Sequence, residues 1–410
     1  MAKVLGIIAE YNPFHNGHLY QIQKAKEQVD ADYVIAVISG NFVQRGNTSL
    51  VNKWVKTQMA LMNEVDLVIE LPTIYSVSSA ENFAEGAIKI LDSLKIVNTV
   101  CFGTETSDLA ALNNIANVLY SEPKEYTTIL NHELSTGISF PRARENALMM
   151  YLNDIKRYAN IMSGSNNILA IEYLKALKKI KSNITPLAIQ RKNVYYNEEK
   201  IVDEFASSTA IRKLVSRGQF DDIRKVMPTN SYMLMRDEIK KGNFVMDIVE
   251  FEKEILYTLR KMSVAEIAEL QDVTEGLEYA IKDAANSCNN IMDLVDEVKS
   301  KRYTQTRIQR ILLYALLGIT KKDVINSKKI VPYVRVLGFN SKGKEMLSDI
   351  SSINYKLDII TSVKKFMDKN NNKALRQMLE KDIFATDVYT LGYEYKSMAN
   401  LDYTNRLIIM

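Results

Sequence analysis

Residues 4–18 read VLGIIAEYNPFHNGH, and this stretch decides the fold class. Val4–Ala9 is a short apolar run rich in β-branched side chains, bounded by Glu10 and the turn-forming pair Asn12-Pro13, which predicts a strand buried on both faces. His15-Asn16-Gly17-His18 follows at once and opens a helical pattern with Leu19, Ile22, Ala25 and Val29 on one face. A strand that turns directly into a helix aims free backbone N–H groups and the positive end of the helix dipole at one point, a natural place for an anion. Gly17 lets the backbone approach a nucleotide closely, and the imidazoles of His15 and His18 can donate hydrogen bonds as charge builds on phosphorus. The plainer reading is a helix cap with two incidental polar residues. The strand before it and the helix after it weigh against that reading.

The alternation continues downstream. Apolar runs at 33–38, 66–71, 99–102 and 184–190 read as further strands, and 54–62 and 80–94 as helices between them. Strands this continuously apolar belong to a parallel sheet covered on both faces, with its site at the carboxyl ends of the strands. The fold class expected is α/β: a doubly wound, Rossmann-like catalytic domain over residues 1–235, then a mostly α-helical C-terminal domain over 236–410. The boundary rests on Met227-Pro228 and on Lys240-Lys241-Gly242-Asn243, after which the chain becomes rich in Lys and Glu with helical periodicity. Within that helical part, VPYVRVL at 331–337 reads as one short strand.

Composition narrows the function. The chain has 410 residues, 47% hydrophobic and 25% charged, enough to bury a sizeable core. No run approaches the roughly eighteen apolar residues of a membrane helix, and the N-terminus is too short in apolar residues for a signal peptide. Cys101 and Cys288 cannot by themselves make a disulfide framework or a zinc site, so a cytoplasmic enzyme with no protein-bound metal is expected. Residues 1–200 carry 20 basic and 20 acidic side chains, which leaves the whole net charge of +4 in the second half. That permits a polyanionic partner on the C-terminal side without demanding one.

A second anion cradle lies at Ser207-Ser208-Thr209-Ala210-Ile211-Arg212, where hydroxyls begin a helix and an arginine follows within about a turn. Alone it is an ordinary N-cap run; paired with HNGH in one α/β unit it is specific. HxGH with a late STxIR-like motif resembles the HIGH nucleotidyltransferase superfamily. GIIAEYNPFHNGH, SGNFVQRGN, KWVKTQMAL, DLVIELP, SSAENFAEGA, FGTET, NNILAIEYLKAL and RYTQTRIQRILLYALLGI then resemble one family within it, the tRNA(Met) cytidine acetate ligases. Family members usually carry Pro where this chain has Thr48, a small residue at Ser208 and Gly at Glu64.

The resemblance implies that acetate attacks the α-phosphate of ATP, giving acetyl-adenylate, and that the acetyl group passes to the exocyclic amine of the wobble cytidine of elongator tRNA(Met). Mg²⁺ would come with the nucleotide, and acetyl-CoA would not be used. It implies that His15 and His18 are catalytic. ATP would be met by Ile7, Ile8, Ala9, Glu10, Tyr11, Asn12, Pro13, Phe14, His15, Asn16, Gly17, His18, Leu19 and Tyr20. Gly103, Asn166 or Asn167, Arg191, Ser207, Thr209 and Arg212 would complete the nucleotide site.

For RNA the candidates are Gln44 and Arg45, in a loop at the active edge of the sheet, and the basic stretch Lys299, Lys301, Arg302, Arg307 and Arg310 with Tyr303 interleaved. Arg307 and Arg310 are a turn apart and are expected to face a phosphate backbone while Ile308 and Ile311 face the core. Lys53 and Lys56, also a turn apart, face either RNA or solvent on this reading, and Trp54 between them packs. Two other functions stay open: a small-molecule adenylyltransferase of the same superfamily, or an RNA-binding protein with a vestigial nucleotide site. ATP–pyrophosphate exchange separates them, being acetate-dependent, dependent on another acceptor, or absent.

Overall fold

The computed structural model describes residues 2–192, 204–274, 276–300, 302–395 and 397–410. Its frame is an eight-stranded sheet. The first strands are β1 (Val4–Ala9) and β2 (Tyr33–Ser39), and between them runs the helix α1 (Asn16–Val29). The two-stranded hairpin β3 (Phe42–Val43) and β4 (Asn47–Thr48) precedes α2 (Lys53–Leu61). Then come β5 (Leu67–Leu71), β6 (Thr99–Thr104) and β7 (Thr185–Gln190). The C-terminal part adds β8 (Val334–Phe339), β9 (Ile359–Ile360) and β10 (Ile408–Ile409). The order is β10-β8-β5-β2-β1-β6-β7, with β9 also on β8.

From β5 across β2, β1 and β6 to β7 every pairing is parallel, in line with the apolar strand runs. Alternate residues feed opposite cores: Val4, Ile35, Val37, Leu67 and Ile69 on one face, Leu5, Ile7, Val34, Ala36 and Val68 on the other. This is why these strands read as continuous hydrophobic runs.

The stretch at 331–337 is more than a short strand among helices. β8 lies antiparallel to β5, pairing Glu70 with Arg335, and brings β9 and β10 into the same sheet. Side chains lock this junction. Lys53 Nζ lies 2.8 Å from Glu70 Oε1 and 2.8 Å from Asp402 Oδ1. Arg335 Nε lies 3.3 Å from Glu70 Oε2, and its Nη2 donates to Asp402 Oδ1. All four side chains are buried, two of each sign. No helix among the described residues is long and apolar enough to cross a membrane.

Candidate nucleotide site

The site is built where β1 ends. After Ala9 the chain turns through Tyr11, a non-glycine residue at φ 48° in the left-handed region, and through a cis Asn12–Pro13 bond. Tyr11 in the left-handed region needs outside support, and Asn12 supplies it: its Oδ1 accepts from Leu50 N–H at 2.7 Å and its Nδ2 donates to the Thr48 carbonyl at 3.0 Å. Tyr11 packs edge-on to His18 and Phe14 tilts against it, with ring centroids 4.9 and 5.5 Å away.

His15 is the N-cap of α1. Its Nδ1 accepts from the Gly17 N–H at 3.1 Å, while the His15 N–H donates to His18 Nδ1 at 3.2 Å. This is a capping box made of two imidazoles. A neutral imidazole that accepts at Nδ1 carries its proton on Nε2, so each ring keeps one N–H donor for a ligand. Burial, with the Arg191 charge second, holds His15 down to about 3. Burial, then His15 and Arg191, likewise depresses His18. The two rings stack 3.7 Å apart, which suits a neutral pair. A Cβ on Gly17 would lie 2.9 Å from His15 Cε1, so glycine makes room here for the His15 ring.

These groups open onto a cavity at the carboxyl edge of the sheet, where sites of such folds lie. Tyr20 and Gln21 of α1, Gly103 at the end of β6, and Gln190, Arg191 and Lys192 at the end of β7 complete much of its wall. The Arg191 N–H bonds to the Thr104 carbonyl at 2.9 Å, which continues the β6–β7 pairing to the rim. Lys192 Nζ sits 4.6 Å from the Tyr20 ring and 5.3 Å from that of Phe205.

The cavity therefore brings together His15, Gly17, His18, Tyr20, Gly103 and Arg191 of the residues expected to meet ATP. Others lie behind it. Ile7, Ile8, Tyr11 and Phe14 are core residues; Pro13 is buried, and Ala9, Glu10 and Leu19 are half-buried. Asn16 Nδ2 donates to the carbonyls of Glu204 and Lys225 at 2.9 and 3.2 Å, tying the first motif to the late one. Ser207 caps the helix Ser208–Ser216 and Thr209 is exposed. Arg212 Nη1 reaches Asn12 Oδ1 at 2.9 Å and the Thr48 carbonyl at 3.0 Å, and Nη2 the Met246 carbonyl, so it braces the loop. Asn166 and Asn167 begin the helix Ser165–Lys179 and hold the Glu105 carboxylate with their backbone N–H groups, at 3.0 and 2.7 Å. Asn167 Oδ1 in return accepts from Glu105 N–H at 2.9 Å, shaping the turn after Gly103.

Sequence reasoning passed over Gln21, Gln190, Lys192, Phe205 and Ala206, all cavity residues. Their signal was position: each flanks a motif or follows a strand at the carboxyl edge. Lys53 and Lys56 are corrected outright. Neither faces RNA or solvent; both are fully buried, because α2 lies with its first turn against the strand ends and not on the surface.

The RNA candidates divide. The hairpin carrying Gln44 and Arg45 bonds inward, with the Gln44 N–H on Glu10 Oε1 at 2.8 Å and Nε2 on the Ser78 carbonyl at 3.1 Å. It packs so closely on the helix Gln305–Leu317 that a Cβ on Gly46 would lie 2.5 Å from Arg310 N. Two candidate segments far apart in sequence thus adjoin. Arg307 and Arg310, however, do not face outward side by side as expected. Arg307 Nε bonds the Asp272 carbonyl at 3.0 Å and Arg310 Nε the Asp272 carboxylate at 3.0 Å, because the turn at 272–274 needs donors that the helix supplies. Lys299 pairs with Asp296 on the surface, Arg302 lies 5.8 Å from the Tyr303 ring, and Lys301 is outside the described residues.

Residues 2–403 match the family model of the HIGH nucleotidyl transferases. The tRNA(Met) cytidine acetate ligase of Thermoanaerobacter sp. (strain X514) is 47% identical over 405 residues, 99% of each chain. That of Acetivibrio thermocellus is 43% identical over 418 residues, all of both chains. The crystal structure of Thermotoga maritima TmcAL bound with alpha-thio ATP superposes with a TM-score of 0.91 at 34% identity, covering 100% of this chain and 99% of that one. Its apo form gives a TM-score of 0.94 at 33% identity, with the same coverage. The two-imidazole strand–helix junction and these full-length likenesses agree: the chain belongs to the tRNA(Met) cytidine acetate ligase family of HIGH nucleotidyltransferases.

Proposed function

We propose that this protein activates acetate with ATP as acetyl-adenylate and transfers the acetyl group to the wobble cytidine of elongator tRNA(Met), giving N4-acetylcytidine. One observation carries the reading: two neutral imidazoles, each with Nδ1 engaged by a backbone N–H, face a cavity that also holds Arg191. Such donors need no reorganisation when negative charge builds on the α-phosphate and on the departing pyrophosphate. The acetate carboxylate attacks phosphorus, the Pα–O bond to the β-phosphate breaks, and pyrophosphate leaves. The cytidine amine then attacks the acetyl carbon, AMP leaves, and the amine loses one proton.

Ile7–Tyr20, Gly103, Asn166 or Asn167, Arg191, Ser207, Thr209 and Arg212 form the nucleotide site in this reading, some as ligands and others as braces. Mg²⁺ comes with the ATP phosphates in this reading. Residues 1–235 carry adenylation; 236–410, with the Gln44–Arg45 hairpin, receive tRNA. The setting is the cytoplasm.

Incubation with ATP, labelled acetate and unmodified tRNA(Met), followed by nucleoside analysis, tests the reaction. Labelled N4-acetylcytidine is expected with acetate and ATP and none with acetyl-CoA alone; turnover on acetyl-CoA without ATP would refute it. The RNA surface is tested separately. Arg45→Ala is expected to weaken tRNA binding and flatten its salt dependence, as each lost phosphate contact releases fewer counterions. Pyrophosphate exchange should continue, and an unchanged salt slope would move the RNA site elsewhere.

A further inference from the structure

The ladder between β1 and β2 stops at the pair Ala9 and Ile38. Beyond it the carbonyls of Glu10, Ser39 and Gly40 point to one buried atom, Lys56 Nζ, at 3.0, 2.8 and 2.7 Å. An ammonium has three hydrogens and no acceptor, so three carbonyls satisfy it completely. The tie falls one residue before Tyr11, where the backbone enters the left-handed region on its way to His15.

We propose that Lys56 is a positioning residue of the nucleotide site, its ammonium clamping the ends of β1 and β2 so that the loop from Tyr11 to His15 is held in its reactive geometry. The proposal rests on the adenylation reading above. Lys56 does not line the cavity and all its donors are used within the chain, so it acts through the loop and not on substrate. Asn12 and Arg212 are the next fixed points along the same loop.

The clamp needs the charged form. A neutral amine has two N–H groups and a lone pair, which would face the third carbonyl. Burial pushes Lys56 down to about 7, against the pull of Glu10 and Glu70 and with the push of Lys53 and Arg212. These four come from the end of β1, from β5, from α2 itself and from the helix Ser208–Ser216. The clamp is therefore whole below about pH 7 and opens as the pH rises through that value.

The test follows acetate-dependent ATP–pyrophosphate exchange from pH 6 to 9 in wild type, Lys56→Arg and Lys56→Met. Wild type should lose kcat on the alkaline side while the KM for ATP stays nearly constant, because the cavity contacts are untouched. Lys56→Arg, whose guanidinium keeps its proton, should lack that alkaline fall. Lys56→Met should lose kcat by on the order of a hundredfold, the scale of a misplacement of about 1 Å. Hydrogen exchange over the Tyr11–His15 backbone, corrected for its intrinsic pH dependence, gives a readout independent of activity. It should rise above about pH 7 in wild type and stay flat in Lys56→Arg. A folded Lys56→Met with wild-type kcat overturns the proposal, as does an alkaline fall or a rise in exchange that survives in Lys56→Arg. If Lys56→Met does not fold, wild type and Lys56→Arg decide by the same two curves. Absent pyrophosphate exchange in wild type would count against the proposed reaction, and the hydrogen exchange would still judge the clamp.

Discussion

Replacing His15 or His18 by asparagine is expected to slow acetate-dependent pyrophosphate exchange by about a hundredfold to a thousandfold, the usual loss for one preorganised donor. Asparagine is the informative choice because it remains a good N-cap. His15 caps α1 through Nδ1, and an alanine there would mix the loss of the cap with the loss of the Nε2 donor. At position 18 the amide oxygen can still accept from the His15 N–H. Melting curves establish that the variants fold, and a wild-type exchange rate in either folded variant would remove that imidazole from the mechanism. The depressed pKa values make a second, linked expectation. Unfolded histidines bind protons below about 6.5, while folded His15 does so only near 3. The unfolded state is therefore the more protonated between these values, and stability should fall as pH drops through that window. Activity should show no imidazole titration near neutrality.

Lys53→Met is expected to destabilise the fold by about 3–5 kcal/mol, the scale for removing one partner of a buried ion pair. Lys53 meets both carboxylates of the cluster, and without it Glu70 and Asp402, both buried, keep Arg335 as their shared cation. Truncation leaves an uncompensated charge, which costs far more than the net worth of the pair. A marked fall in urea midpoint at unchanged slope would show it, and Lys53→Met with Asp402→Asn should recover part of the loss. An unchanged midpoint in the single variant would mean that the cluster relaxes or protonates at little cost.

The parallel half of the sheet, the strand–helix junction at HNGH and the family were legible in the residues alone. The reason is local: continuous β-branched runs, a helical period beginning at His15 and an anion-binding turn are all written within a few residues of each other. Tertiary structure alone decided the fate of charged residues and of the C-terminal strands. Lys53 and Lys56 stand at surface-like spacing on a helix, and only the folded position of α2 shows that each meets its partners at the strand ends. Arg307 and Arg310 have the spacing of a phosphate-binding face, yet a turn some 35 residues earlier engages them. A charge has no periodicity of its own, so what it faces is set by segments distant in sequence. The same holds for β8: the stretch 331–337 reads as an isolated strand, and the strand itself, Val334–Phe339, is placed by β5, which pairs with it across more than 260 residues of chain.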